Sequence, residues 1–262
     1  MGKIVSIHSF RGGTGKSNTT ANLSAQIAMK GKRVGVVDTD IQSPGIHVLF
    51  GLDETTMGRT LNDFLHGLCE IQDVAFAVGE HASQNGAVGR RLLAGYNLWL
   101  IPSSIRGREI SRVIREGYDV NRLNEGLQNL ITEMKLDYLF IDTHPGLNEE
   151  TLLSIAISDI LLIILRPDEQ DFQGTAVTVD IARSLDVTNL LLMVNKAVPK
   201  TYHYEELKNM VEKAYQAPLT GILPLNFELA DNASKDLFSL RFPDHPWSKE
   251  LRKVAAAILE VQ

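Results

Sequence analysis

The chain has 262 residues, 44% of them hydrophobic and 22% charged, and a formal net charge of −6. That size and balance suit a soluble globular protein able to bury a sizeable core, and give no global electrostatic reason to bind nucleic acid, so any such binding needs a local basic patch. The single cysteine, Cys69, fits a reducing cytosol and excludes both a disulfide framework and any metal or iron–sulfur site built from paired cysteines within one chain.

In chain order, the first apolar run is KIVSIH at 3–8. MGKIVS also satisfies the loose myristoylation pattern through Gly2 and Ser6, but Ile4, Val5 and Ile7 read as a buried first strand. A Gly-rich turn interrupts this run, so no signal peptide is expected. Further apolar runs follow: RVGVVD at 33–38, LWLIP at 98–102, DYLFID at 137–142, ILLIIL at 160–165, NLLLMVN at 189–195 and GILPL at 221–225. Runs apolar on both faces suit a parallel sheet covered on each side, and none approaches the roughly 20 residues that span a bilayer. Helical patterns lie between them, at 16–30, closed by Gly31, and at 121–135, where Leu123, Leu127, Leu130 and Ile131 form a stripe. The alternation predicts an α/β fold: a doubly wound, mainly parallel sheet flanked by helices on both faces. Residues 79–97, rich in Gly, Ala, Ser and Asn, read as a surface loop, and with no linker visible the whole of 1–262 is expected to form one domain.

HSFRGGTGKSNTT, beginning at His8, follows the first strand and opens the first helix. That order aims loop N–H groups and the positive end of a helix at one point, while Gly12, Gly13 and Gly15 let a polyphosphate approach the backbone. Lys16 would reach the β- and γ-phosphates and Ser17 would ligate Mg²⁺. The loop departs from the ordinary phosphate-loop pattern, which places glycine where this chain has Phe10. Acids follow neighbouring strands: Asp38 and Asp40 in VGVVDTD, and Asp142 in YLFIDTHPG. Ligands bind beyond the carboxyl ends of such strands, so Asp142 is placed to hold Mg²⁺ and Asp38 or Asp40 to orient an attacking water.

Two basic clusters stand out. Arg108, Arg112 and Arg115 recur at helical spacing, flanked by Arg106 and Arg122; Lys235, Arg241, Lys249, Arg252 and Lys253 lie near the C-terminus, interrupted by Asp236, Asp244 and Glu250. Either is a candidate for sequence-independent phosphate neutralisation, although a solvated face is the ordinary fate of such clusters. The last predicted helix, roughly 246–260, places Trp247, Leu251, Val254, Ile258 and Leu259 on one broad face. It reads as core packing rather than as a membrane anchor.

These pieces together resemble the ParA/MinD family of deviant Walker-A P-loop NTPases, whose loop reads K-G-G-x-G-K-(S/T). RGGTGKS matches at every position but the first, and the likeness continues through KGKRVGVVDTDIQSPGIHVLFGL, YNLWLIPSS, LDYLFIDTHPGL and ILLIILRPDEQDFQGT to the closing helix. The resemblance implies a cytoplasmic, Mg²⁺-dependent ATPase that dimerises face to face on ATP and returns to monomers, with ADP, on hydrolysis. Arg11, Gly12, Gly13, Thr14, Gly15, Lys16, Ser17 and Asn18 would then bind nucleotide. Lys16 and Asp40 would be catalytic, with Asp40 positioning the hydrolytic water, while Ser17, Asp38 and Asp142 would serve the metal. Residues 40–46 and 142–148 match two switch segments. Asn195 falls in the family's base-contacting segment, though a helix cap reads equally well.

Arg11 stands where the family has a lysine that reaches the partner's phosphates. Arginine keeps the charge but changes reach and geometry, so Arg11 either acts in trans as a catalytic residue or faces solvent. ParA-like members bind DNA non-specifically, whereas MinD-like members carry a basic membrane helix, which is not expected here. No N-terminal DNA-reading domain, paired cysteines or tyrosine-rich kinase tail is seen. The expected role is therefore a positioning ATPase, associated with nucleoid DNA in its ATP state and released by an adaptor protein linked to cargo. Loss of the signature lysine resembles the cyanobacterial carboxysome-distribution branch. A membrane-associated division-site regulator, a nucleotide-dependent switch with negligible hydrolysis and a metabolic ligase of similar fold remain alternatives.

Overall fold

The computed structural model describes residues 2–85, 87–198, 201 and 203–261. Its strands are β1 (Lys3–His8), β2 (Val34–Asp38), β3 (Phe76–Ala77), β4 (Leu98–Ile101), β5 (Tyr138–Asp142), β6 (Ile160–Leu165), β7 (Leu190–Ala197) and β8 (Leu219–Pro224). All but the two-residue β3 coincide with apolar runs of the sequence. They form one sheet in the order β3-β4-β2-β5-β1-β6-β7-β8, parallel throughout except where β3 pairs with β4.

Alternation along β6 shows why both faces need cover. Ile160, Leu162 and Ile164 enter one core cluster, while Leu161, Ile163 and Leu165 enter another on the opposite face. The first cluster lies beneath helices Lys16–Ala28 and Pro246–Glu260; the other face is covered by helices Val120–Glu133, Glu169–Ser184 and Tyr204–Tyr215. Helix Lys16–Ala28 is covered almost all round, which explains its Thr-, Ser- and Ala-rich, weakly amphipathic sequence. From β1 the chain builds one side of the sheet with β2 to β5, then crosses to the other with β6 to β8, and this reversal opens a crevice at the carboxyl ends of β1, β2 and β5.

Residues 79–97 depart from the expected loop. Helices Val78–Asn85 and Val88–Arg91 occupy most of the segment, with residue 86 outside the described residues. The second is held from a distance: Asp236, buried, accepts hydrogen bonds from the Gly89, Arg90 and Leu237 N–H groups at 2.8–2.9 Å. A polar, small-residue sequence concealed a short helix fixed by a partner 147 residues away.

The closing helix behaves as core. Trp247, Leu251, Val254 and Ile258 are buried against the sheet and the first helix, and Val254 lies so close to Gly221 that an added Cβ there would come within 2.7 Å. Among the described residues no helix is long and apolar enough to cross a membrane. Trp247→Ala should therefore cost roughly 3–5 kcal/mol of stability, as aromatic-to-alanine changes in cores do. Urea unfolding measures it, and a loss under about 1 kcal/mol would argue against the core placement.

Candidate functional site

The phosphate-loop sequence folds as a strand–loop–helix. β1 ends at His8, and helix Lys16–Ala28 starts directly after Gly15, which adopts φ 93° and so occupies the left-handed region that favours glycine. A cavity of about 290 Å³ opens over the loop, lined by Arg11 to Asn18 together with Ser9, Asp40, Ser43 and Pro145. Every loop residue expected to bind nucleotide borders it, as does Asp40. Asp38 and Asp142 lie deeper, at the ends of two paired strands.

Three contacts fix the loop from outside. Phe10 packs on helix Glu169–Ser184 at Gly174, where a Cβ would fall 2.0 Å from the Phe10 ring. The aromatic at the position where ordinary loops have glycine is thus an anchor. On the other flank Asn195 Nδ2 donates to Thr14 O (2.7 Å) and Lys196 Nζ to Gly13 O (2.6 Å). A one-residue irregularity in β7 between Val194 and Ala197, with Lys196 at φ 59°, accompanies this change of direction. Asn195 caps no helix: it is buried in β7, with its amide committed to the loop carbonyl and its Oδ1 accepting the Lys196 N–H (2.9 Å).

The deep end of the site is a charge cluster. Asp38 and Asp142 are register partners across β2 and β5, and both are buried. Lys16, 7% exposed, places Nζ 3.7 Å from Asp142 Oδ1, which also accepts from Thr20 Oγ1 (3.1 Å). The backbone N–H groups of Asp40 and Gly45 donate to the Asp38 carboxylate (3.1 and 3.2 Å), and Ser103 Oγ donates to Asp38 O (2.7 Å). Burial first, then the charges of Asp142 and Asp40, push the Asp38 carboxyl well above the usual carboxylate range. Two buried carboxylates at adjacent strand ends, together with the Ser17 hydroxyl that lines the cavity, offer oxygen donors of the kind Mg²⁺ takes. The residues present therefore fit that ion, although among the described residues no cluster of three acidic, His or Cys side chains could hold a metal unaided.

Asp40 sits at the mouth, in a turn where Ser43 N and Oγ donate to its Oδ1 (3.1 and 2.9 Å). His144 Nε2 lies 3.9 Å from the same oxygen, an ion pair when the imidazole is protonated. The sequence reading missed two histidines here, His144 and His8. Thr143 Oγ1 donates to Ile7 O and so accepts from His8 Nδ1 (2.9 Å), leaving His8 Nε2 as a buried lone pair with no partner among the described residues. Burial and the nearby Lys16 and His144 lower the His8 pKa to about 3, so it is neutral. A polar residue closing an apolar strand immediately before the loop was the available signal.

Arg11 is turned back onto its own chain. Nη1 lies 3.6 Å from Asp171 Oδ1 and 3.8 Å from Asp168 Oδ1, at the start of helix Glu169–Ser184. It is neither fully solvated nor extended away from the subunit. The buried Asp171 is already paired with Arg166, whose backbone N–H and Nε donate at 2.9 and 3.1 Å.

The AAA domain family matches residues 2–194. An uncharacterized ATP-binding protein of Methanocaldococcus jannaschii is 24% identical over 260 residues, 99% of this chain and 88% of its own. Among solved structures, the septum site-determining protein MinD of Pyrococcus horikoshii, complexed with Mg-ADP, superposes with a TM-score of 0.79 at 20% identity, over 99% of this chain and 97% of its own. Cyanthece apo McdA superposes with a TM-score of 0.72 at 20% identity, over 98% and 100% of the two chains. Both carry the mostly parallel sheet seen here.

The raised Asp38 pKa has a definite sign in stability. The folded state holds this proton more tightly than the unfolded state, so the contribution is fully present below the ordinary aspartate value and is lost as pH climbs through the raised one. Nucleotide-free wild type should lose stability across that window, and Asp38→Asn, uncharged at every pH, should lack this component. Urea midpoints at about pH 4 and about pH 7 give the comparison. Identical pH dependence in the two proteins would show that Asp38 is not held protonated.

Proposed function

The chain belongs to the AAA domain family, among the ParA/MinD-type ATPases, and from that premise we propose that it is a Mg²⁺-dependent ATP hydrolase whose ATP-bound dimer binds DNA without sequence preference. The observation that carries this reading is the cavity over the loop, with a buried Lys16–Asp142 pair below it and Asp40 at its mouth. Loop N–H groups from Gly12 to Ser17 would cradle the phosphates, and Lys16 Nζ would add charge at the outer ones. Ser17, Asp38 and Asp142 would hold Mg²⁺, which when bound neutralises charge on the phosphate oxygens. Asp40, anchored by Ser43, would orient the attacking water. Asn195 would act by holding the Thr14 carbonyl away from the phosphate path.

Arg11 would serve the dimer. Its ion pairs with Asp168 and Asp171 are long and partly exposed, and pairs of this kind contribute about 0–1 kcal/mol. Release toward a partner's phosphates is therefore cheap, and a guanidinium there would stabilise developing charge. The DNA reading is supported by the exposed helix Gly107–Glu116, which projects Arg108, Arg112 and Arg115, and by dimerisation, which doubles a weak patch. The C-terminal cluster supports it less: Lys249 and Lys253 pair with Asp244 and Glu250, and Arg252 donates to Pro243 O. Hydrolysis triggered by an adaptor on an intracellular cargo would release the dimer. Arg11 in place of lysine is what favours carboxysomes as that cargo; the likeness to McdA is no higher in identity than that to MinD.

Hydrolysis, mass by light scattering and retention on DNA, each with and without ATP and Mg²⁺, test this function. Lys16→Ala should lower hydrolysis at least about 100-fold and abolish the ATP-dependent rise in mass. An unchanged mass or DNA retention of wild type on ATP addition would sink the reading. Asp40→Ala should keep the ATP-induced dimer from dissociating; prompt dissociation would remove its assigned role. Asp168→Asn keeps a helix cap while weakening the hold on Arg11, so it should lower the ATP concentration needed for dimerisation. The same midpoint as wild type would show that Arg11 is not restrained by that pair.

A further inference from the structure

A second concave site lies away from the nucleotide cavity. Helices Leu61–Leu65 and Gly107–Glu116 enclose a cleft of about 460 Å³ whose lining includes Asn62, His66, Arg108, Arg112 and Arg115. Its carboxylates already have partners. Asp63 accepts from Thr60 N (2.8 Å), Glu109 pairs with Arg106 (3.3 Å) and Glu116 with Arg112 (2.9 Å). Arg108 has no partner among the described residues, and Arg115 makes one long contact through Nε to Ser111 O (3.3 Å). Arg108 thus faces the cleft without an ion-pair partner, while Arg115 meets Glu116 only as a neighbouring charge.

Its floor carries unmet hydrogen-bonding capacity. Asn62 is 1% exposed; its Oδ1 accepts from Ser104 N (2.8 Å), but its Nδ2 has no partner among the described residues. His66 Nε2 is likewise buried and unpartnered. A buried donor left unsatisfied costs on the order of 1–3 kcal/mol, so such a group in a cleft points to a ligand that completes it. Helix Gly107–Glu116 buries only Val113, and Ile114 is 61% exposed, so this wall of the cleft is a surface helix.

We propose that this cleft binds a compact phosphoryl compound of the phosphate-monoester class, with Asn62 Nδ2 and His66 at the floor and Arg108 and Arg115 supplying the charge. Guanidinium forks match phosphate oxygens in pairs, and an amide donor beneath them suits the third oxygen. A duplex backbone is bulky, and its phosphates meet the exposed arginine heads rather than a residue as deep as Asn62. The site is distinct from the nucleotide cavity, and its existence does not depend on the ATPase reading.

The test is calorimetric titration with inorganic phosphate and with glycerol 3-phosphate, on the full chain saturated with ADP and Mg²⁺ so that the loop is occupied. One phosphate site per chain is expected in wild type. His66→Phe, which keeps a ring but removes the nitrogens, and Arg108→Ala should each weaken it at least fivefold. Asn62→Asp, which keeps the acceptor for Ser104, should abolish it while retention on duplex DNA stays unchanged. Unfolding midpoints verify each fold, and the His66 and Arg108 variants decide the matter should the Asn62 variant not fold. No saturable site in wild type, or binding unaffected by the variants that fold, overturns the proposal. So does loss of DNA retention in parallel with phosphate binding in Asn62→Asp, because the cleft is then part of a nucleic-acid surface.

Discussion

Two carboxylates forced together at the ends of neighbouring strands govern the rest of this site. Asp38 and Asp142 are register partners of β2 and β5, so their separation is set by the sheet and cannot relax without breaking its ladder. One buried ammonium, Lys16, stands beside Asp142, and hydroxyls of neighbouring elements close around the pair. Burial makes each unpaired charge expensive, and a second carboxylate exceeds what one lysine neutralises. Burial and the neighbouring carboxylates together raise the Asp38 pKa well above the usual carboxylate range. A hard cation bound between the two carboxylates would supply the missing positive charge. The same burial keeps His8 neutral, which avoids adding a second cation beside Lys16.

That charge cluster is useful only if the loop above it is fixed. Phe10 against Gly174, Asn195 on Thr14, Lys196 on Gly13 and the Gly146 N–H on Ser9 O (3.2 Å) reach the loop from different elements. None of these contacts needs a ligand. The loop N–H groups are therefore held in place before nucleotide arrives, and less ordering remains to be done on binding. The price of this arrangement is steric intolerance: Gly15 has Asn195 against it and Gly174 has the Phe10 ring, so neither position accepts a side chain.

What the sequence disclosed and what it hid divide along physical lines. The strands were legible because a parallel sheet covered on both faces demands uninterrupted apolar runs, and the loop because its glycines and lysine sit between a strand and a helix. Asp38, Asp40 and Asp142 were found by the rule that acids closing such strands meet at one edge. Of the helices within 79–97, Val88–Arg91 was hidden because Asp236, remote in sequence, accepts from its N–H groups. Of the two readings of Asn195, the helix cap fails, and its bond to the Thr14 carbonyl was hidden because a one-residue irregularity in β7 leaves no local signature. His144 was hidden for a related reason: its nearness to Asp40 joins segments about 100 residues apart and exists only in three dimensions.

Phe10, which departs from the ordinary phosphate loop, and Arg11, which departs from the lysine of the ParA/MinD loop, are best understood as one device. Phe10 turns inward and fastens the loop to helix Glu169–Ser184, which carries the next residue over the start of that helix, where Asp168 and Asp171 lie. Arg166 already takes the close positions on Asp171, including its own backbone N–H, so Arg11 is left at 3.6–3.8 Å, beyond hydrogen-bonding distance. It is attracted enough to be oriented, yet it sacrifices no hydrogen bond on leaving. Asp171 loses nothing either, because Arg166 keeps its buried charge satisfied. A cation held in this way beside the cavity is oriented without being hydrogen-bonded to either carboxylate. That combination is what the role proposed for Arg11 would need.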